Sequence, residues 1–521
     1  MPSYTFTYQT RIAGHPALGE LAACVSVVEH KLYAHLAAGK SLDQATKNAF
    51  MEAYRLSGRY YNGITTALNG KLDGIRKLRK LEIQAVDERL QAIDKVIAKN
   101  LKDVVELRMR RDARTGAERE KIVRRIAALK LANHGKQRKA DRLRRRKARF
   151  EADLAAPVPP LCFGSRALFS KQFNLAANGY RTAEAWKEDW QAARASQFII
   201  PGSQDEVSGN KTCKATVEAD GTVKLTLALP GFLKDTHGKH IEIASLKFGY
   251  GHKEIVAAIA AANEARKEVL AYQSETKKLV DAEIARLRAA GMNEEDLLKT
   301  QKALRKARND AARRIRGDHT TALTWRFLRD ATGWRVFVTL HRRLEPGVAD
   351  CAQGALGLDL NVGFVSVMPV DSHGNPLKKL SLDLAYDTAP LSSDQAKASL
   401  GEVVKAIVQM AHDQRRPIVI ETLDFQKKKA ALKETCGPNL ARRLSSFAYS
   451  QFKAQLISRA ARFGVRVIEV NPAFTSHMGR AKYATPLGIS VHRAAAAMIA
   501  RRGMGLSEGL FASAELPLGD G

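Results

Sequence analysis

Residues 354–384 read GALGLDLNVGFVSVMPVDSHGNPLKKLSLDL. Three apolar runs, Ala355 to Leu360, Phe364 to Pro369 and Leu377 to Leu384, are separated by Asn361-Val362-Gly363 and by Asp371-Ser372-His373-Gly374-Asn375. Both separators are built from turn-forming residues, so the stretch describes a three-stranded antiparallel meander. Outward from it, the pattern alternates: a helix over about Ser392 to Asp413, a strand Pro417 to Thr422, a helix over about Asn439 to Phe463, a strand Val465 to Val470, and a helix over about Ser490 to Arg502.

Three meander strands followed by helix, strand, helix, strand, helix is the order of an RNase H-like α/β fold, a scaffold that often carries nucleases. Two carboxylates interrupt its apolar strands. Asp359 stands in Gly357-Leu358-Asp359-Leu360-Asn361, and Glu421 closes Ile418-Val419-Ile420. A carboxylate in such a strand is costly unless a cation or hydrogen-bond donors compensate it. In an RNase H-like sheet these two strands are neighbours, and like charges so close repel unless a divalent metal joins them. The plainer reading is that each is a turn or capping residue at a strand end. A two-metal phosphodiester site needs a further ligand, expected on the last helix. That helix, Ile489 to Ile499, holds no carboxylate, and His492 is its only candidate metal ligand or base. The alternative for His492 is a helix-start residue that contacts phosphate or backbone.

Upstream, Tyr4, Phe6 and Tyr8 alternate with polar residues and read as a lone strand needing partners from elsewhere. From about Pro16 to Pro157 the pattern is helical. Ile83, Val86, Leu90, Ile93 and Ile97 form a coiled-coil-like seam, and after Thr115-Gly116 a second helix carries Ile122, Ile126 and Leu129. The two are expected to fold back as an antiparallel hairpin, each arm of about 40 residues and about 60 Å. Its end is the densest basic stretch of the chain: Lys136, Arg138, Lys139, Arg142, Arg144, Arg145, Arg146, Lys147 and Arg149, with Asp141 the one acid among them. A run so dense repels itself without a polyanion, although it would also suit a solvated helix face.

Between Pro157 and about residue 345, short strands recur around Asp220-Gly221 and Thr332-Gly333, and they resemble one small β-barrel. A second helical hairpin, residues 252–318, interrupts it, turning at Gly291 with Asn293 as the expected N-cap. Its second arm carries Arg305, Arg313, Arg314 and Arg316 beside several lysines, and is expected to lie against phosphates. The stretch 507–521 reads as a loosely ordered tail.

The composition is consistent with this reading. The chain has 521 residues, 85 Lys and Arg against 54 Asp and Glu, and a formal net charge of +31, which points to a polyanionic partner. Five scattered cysteines, with no CxxC pairing, exclude a disulfide framework and a zinc ribbon, and fit a reducing cytosol. No apolar run of about 18 residues and no signal-peptide pattern is present, so no membrane partner is expected.

With these residues in view, the last third resembles the RuvC domain of the transposon-encoded TnpB family, relatives of type V CRISPR effectors. Gly357-Leu358-Asp359-Leu360-Asn361 resembles its first motif and Ile418-Val419-Ile420-Glu421-Thr422-Leu423 its second. Val470-Asn471-Pro472-Ala473-Phe474-Thr475-Ser476 is similar to the segment before its zinc ribbon, and His492 to Ile499 to its D-x-N-A-A-x-N-I motif. The resemblance implies a multidomain α+β protein. Residues 1–14 would be the first strand of a wedge β-barrel, 15–157 a helical recognition lobe, 158–345 the rest of the wedge with its hairpin insertion, and 346–506 the RuvC-like nuclease domain. It also implies an RNA-guided DNA-binding protein of the prokaryotic cytoplasm, associated with the nucleoid when bound to DNA. Such a protein pairs a guide RNA with target DNA beside a short adjacent motif, and cuts with Mg2+ or Mn2+ through Asp359, Glu421 and His492. The sequence departs from the family in two places. His492 stands where the family has its third catalytic Asp, and no four-cysteine ribbon lies between Ser476 and Ser490, so no structural zinc is expected. Two rivals follow: a guided binder that no longer cuts and acts as a repressor or roadblock, and a basic coiled-coil RNA-binding protein without nuclease function.

Overall fold

The alternating N-terminus forms a strand, β1 (Ser3–Ile12), with Phe6 and Tyr8 buried on one face. In this computed structural model the described residues are all but 1–2, 204–205, 207–208, 317–321, 344–346, 349, 362, 387–392, 423–445 and 507–521; of Ser3, residues 313–316, Arg343, Ser393 and residues 446–449 only the backbone is described. The expected tail therefore lies outside the described residues, as do the side chains of Arg313, Arg314 and Arg316. The fold is mixed helix and sheet, and its contacts divide the chain into two compact units. One is Thr5–Lys80 with Phe150–Arg343; the other is Met1–Tyr4 with Leu81–Arg149 and Leu344–Gly521. No helix among the described residues is long and apolar enough to cross a membrane.

In the first unit the single barrel read from the sequence is replaced by two separate sheets. One has the order β1-β7-β6-β2, with β2 Gln197–Ile200, β6 Thr324–Asp330 and β7 Gly333–Arg343; the other is β3-β4-β5, over Cys213–Val217, Val223–Ala228 and His240–Leu246. The physical reason lies at the crossing between them. Buried Asn210 donates its amide to the carbonyls of Ile200 and Leu323, and its oxygen accepts from the backbone N–H of Thr212 and Cys213. The chain thus leaves one sheet and enters the other with its backbone groups satisfied, and the two hairpins have no need to pair. Each sheet has its own apolar face: Trp325, stacked Phe198 and Phe327 in one, Ala215, Leu225 and Leu227 in the other. The second helical hairpin, His252–Ala289 and Glu294–Arg316, turns where the sequence places it. Gly291 adopts φ +84° and the Asn293 side chain accepts from Asp296 N–H at 2.8 Å.

The first helical hairpin is longer than expected. Its arms are Gly58–Asp112 and Gly116–Ala155, the first of 55 residues and so about 80 Å long. The glycines at 63, 70 and 74 sit inside the helix without ending it; Gly63 lets the Ile199 carbonyl approach closely, while Gly70 and Gly74 have nothing within 4 Å of an added Cβ. In the second unit the seam is two apolar clusters. Val86, Ile93, Ala140 and Leu143 form one, with Leu90 and Ile97 against it; Val104, Ile126 and Leu129 form the other, with Leu107 and Ile122. Between them Asn100 donates to Asn133 at 2.7 Å, a polar pair that fixes the register of the two arms.

The same unit contains a five-stranded sheet of order β10-β9-β8-β11-β12. The strands are β8 Ala355–Leu360, β9 Phe364–Val370, β10 Leu382–Ala385, β11 Ile418–Glu421 and β12 Val467–Val470. The first three form an antiparallel meander, and β11 joins parallel between β8 and β12. The third run is shorter than the sequence suggests, because Lys378–Leu380 is a 3-10 turn and only Leu382–Ala385 is extended. One face buries Leu356, Leu358, Ile418 and Ile420 against helices Ser393–Asp413 and Ser446–Arg462. The other buries Ala355, Met368, Val370 and Val419 against the C-terminal helix Val491–Gly503.

Candidate active site

Side chains alternate along a strand, so Gly357 and Asp359 share the face of β8 that meets the C-terminal helix. Gly357 is there because nothing larger fits: a Cβ at that position would stand 1.9 Å from the carbonyl oxygen of Ala496. The run Ala494 to Ala497 completes the fit, since small side chains on both surfaces let the helix backbone lie almost on the strand. Ser490 starts that helix, its hydroxyl accepting from Arg493 N–H at 3.2 Å. The close approach brings the helix's first turn over the end of β8, and His492 Nδ1 lies 3.0 Å from Asp359 Oδ2.

Asp359 has 13% of its side chain exposed, while His492 is about half exposed. The Asn361 amide also donates to Asp359 Oδ2, at 2.9 Å. Among the described residues Oδ1 has no protein partner, and neither Lys nor Arg pairs with this carboxylate. The His492 ring meets Phe364 edge to face with centroids 5.3 Å apart, which fixes its orientation from the other side.

Glu421 belongs to the same face. Val419, two residues before it, touches the C-terminal helix at Gly503. The pairing of Ile418 with Leu356 and of Val419 with Gly357, carried along both strands, sets Glu421 abreast of Asp359. Its Oε1 accepts from Thr475 Oγ1 at 2.5 Å. Just before Thr475, Phe474 takes φ +63°, a conformation unusual for a bulky residue, with 72% of its surface exposed.

The row continues on the other side of β8. Asp359 is paired with Ser366 of β9, and Ser366 with Asp383 of β10. Ser366, wholly buried, donates to Asp383 Oδ1 at 2.6 Å, and Arg493 donates to Asp383 Oδ2 at 3.0 Å. Burial pushes the Asp383 carboxyl up, but the Ser366 hydrogen bond and the Arg493 guanidinium outweigh it and hold the group below its ordinary value. Asp383 and Arg493 thus clip the first turn of the C-terminal helix to the sheet, one residue from His492. Sequence reading passed over Asp383; its signal was an acid in the apolar third run of the meander.

The structure brings Asp359 and His492 into contact and sets Glu421 on the adjoining strand. Among the described residues, no three metal-ligating side chains are gathered into one cluster. What the arrangement offers is an open Asp359 oxygen, a carboxylate on the next strand, and an imidazole: mostly hard oxygen donors, which suit a divalent cation of the Mg2+ class.

The basic stretch lies along the second arm of the first hairpin. Arg144 pairs with Asp141 at 2.8 Å, Arg146 with Glu82 at 3.4 Å and Lys147 with Asp87 at 2.6 Å. Lys136 and Lys139 are half-buried, whereas Arg138, Arg142, Arg145 and Arg149 are exposed and have no ion-pair partner among the described residues. On the second hairpin Arg305 is exposed. No protein-family model matches this chain, and no curated protein is detectably similar to it in sequence.

Proposed function

We propose that this chain is an RNA-guided DNA-binding protein that cuts DNA, with an RNase H-like domain of the RuvC kind over residues 346–506. It would be similar to the TnpB family, with a recognition lobe over 15–157 and wedge strands in 1–14 and 158–345. One observation carries the reading. Asp359 and Glu421 stand on adjoining parallel strands of a sheet ordered β10-β9-β8-β11-β12, with His492 of the last helix bonded to Asp359.

In this reading Asp359 and Glu421 hold Mg2+ or Mn2+, which when bound supplies charge stabilisation and an activated water for phosphodiester hydrolysis. The chain's own contribution is positioning. Asn361 and His492 fix the Asp359 carboxylate, and Thr475 fixes that of Glu421. His492 is about half exposed, and in its neutral form its second nitrogen can accept a proton. Exposed Phe474 offers a ring on which a nucleotide base can stack. Arg138, Arg142, Arg145 and Arg149 supply phosphate contacts to a guide RNA, while sequence choice comes from base pairing.

A second reading is favoured by a specific observation. His492 spends one nitrogen on Asp359 where the resembled family would have a carboxylate, which suits a guided binder that has lost cleavage. The test is to sequence the RNA that copurifies with the protein, reprogram its guide segment, and measure binding to matched and mismatched duplexes. A defined RNA and guide-dependent binding support the proposal. Bound RNA without any guide-dependent DNA binding would leave a basic RNA-binding protein.

A further inference from the structure

The first unit contains a cavity of about 600 Å3 that the proposed activity does not use. It is walled by helix Pro16–Ala37, the foot of the first hairpin arm, residues 161–164, the end of helix Ala183–Arg194 and strands β2 and β6. Its charged lining is unbalanced. Glu29, itself buried, places both carboxylate oxygens 2.6 Å from Lys71 Nζ, so this pair cancels. Arg194 and Arg326 remain, and neither has a carboxylate partner among the described residues.

Arg194 donates from Nη2 to His30 Nδ1 at 2.6 Å, and its Nε is buried with no acceptor among the described residues. For His30 to accept, that ring must be neutral. It is: burial, then the nearby Arg194 and Lys71 charges, push its pKa down to about 4. A neutral imidazole removes none of the guanidinium's charge. Arg326 lies over the Phe337 ring at 4.1 Å, and burial first, then Arg335, lowers its pKa. Arg194 and Arg326, both partly desolvated and without a carboxylate partner among the described residues, line the same cavity, a costly arrangement in isolation. They suit an anion that accepts several hydrogen bonds, and phosphate matches the guanidinium fork.

The rest of the wall is mixed, with Ser26, Thr66, Ser196 and Gln197 beside apolar and aromatic residues. Phe163 lies 3.7 Å from His30, centroid to centroid, and lines the cavity with Phe198, Ile64 and Val25. Arg194 bonds His30, which packs on Phe163, so a guanidinium and an aromatic ring stand close together in a cavity of this volume, a pairing that fits a planar heterocycle carrying a phosphate. We infer that this cavity binds a nucleoside phosphate, with the phosphate on Arg194 and Arg326 and the base against the Phe163 side. Either a free nucleotide or the terminal nucleotide of an RNA presents that group.

The experiment uses the full-length protein freed of nucleic acid at high salt, titrated calorimetrically with AMP, CMP, GMP and UMP, and with adenosine and inorganic phosphate. At least one monophosphate is expected to bind at one site, tenfold or more tighter than both adenosine and inorganic phosphate. Arg194→Gln and Arg326→Gln, checked for unchanged melting, are expected each to weaken it tenfold or more. Displacement by a 5′-phosphorylated RNA oligonucleotide but not by its 5′-hydroxyl twin assigns the site to a chain end; displacement by neither assigns it to free nucleotide. If no monophosphate binds, or adenosine or phosphate alone binds equally well, the inference is overturned whatever variants show, and the cleavage proposal is untouched.

Discussion

His492 Nδ1 sits 3.0 Å from Asp359 Oδ2, and since an ionised carboxylate can only accept, the ring donates from Nδ1; in the neutral ring this leaves the lone pair on Nε2. The carboxylate therefore orients the imidazole, and the imidazole can take a proton from water on its outer side. His492→Ala is expected to lower cleavage by about 100-fold or more with guided binding unchanged. His492→Asp sets two carboxylates against each other, so it should melt lower without Mg2+, recover on adding it, and cut at least as well as wild type. Wild-type cleavage by His492→Ala would remove His492 from the site.

Gly357→Ala tests the packing that delivers His492. The new Cβ would meet backbone, at 1.9 Å from Ala496 O, which cannot swing aside as a side chain can. A loss of about 3 kcal/mol is expected in denaturant titration. Gly74→Ala, inside a helix with nothing within 4 Å of the added Cβ, should instead gain about 0.5–1 kcal/mol. Equal effects would mean the strand–helix contact is looser than described.

Arginines on the first hairpin should differ by whether they are already paired. Replacing Arg138, Arg142, Arg145 and Arg149 together with Ala should reduce the slope of log affinity for RNA against log salt by up to about 3, at ~0.7 for each phosphate no longer neutralised. Replacing Arg144 and Arg146, which hold Asp141 and Glu82, should change it less per residue. An unchanged slope in the first variant would make the run a solvated helix face.

His30 makes stability depend on pH. Its folded pKa, about 4, lies below the usual histidine value of 6.5, so between these values the unfolded chain binds more protons than the folded one. Stability is then at its full value above about pH 6.5 and falls as pH drops toward 4. Urea midpoints across that window should show this slope, and His30→Gln should flatten it. An identical slope in His30→Gln would place the titration elsewhere.

The C-terminal unit was legible because its chemistry is local. The turn residues Asn361 and Gly363, and those at 371–375, separate the meander strands, and isolated acids stand out in apolar runs. Period-3.5 apolar positions from Ile83 to Ile97 likewise specify a helical hairpin seam. What could not be read was pairing at a distance. Gln197–Ile200 has only four residues, and although Pro201-Gly202 marks its end, it is a strand because Thr324–Asp330 runs beside it. Two sheets instead of one barrel follow from where Asn210 spends its hydrogen bonds, a tertiary fact with no periodicity. Asp383 escaped notice for the same reason: its importance lies in Ser366 and Arg493, 17 and 110 residues away.

Asp359 and Glu421 are proposed to form together a cation-dependent cutting site. The direct measurement is cleavage of a guide-matched DNA by the RNA-loaded protein in Mg2+ and in EDTA, with Asp359→Ala and Glu421→Ala beside wild type and guided binding measured on the same preparations. The expected result is cutting by wild type in Mg2+ only, at least 1,000-fold slower cleavage in either variant (about 4 kcal/mol), and binding within about twofold of wild type in both. Guided binding without cutting by wild type in either Mg2+ or Mn2+, or cutting that survives both substitutions, would contradict it.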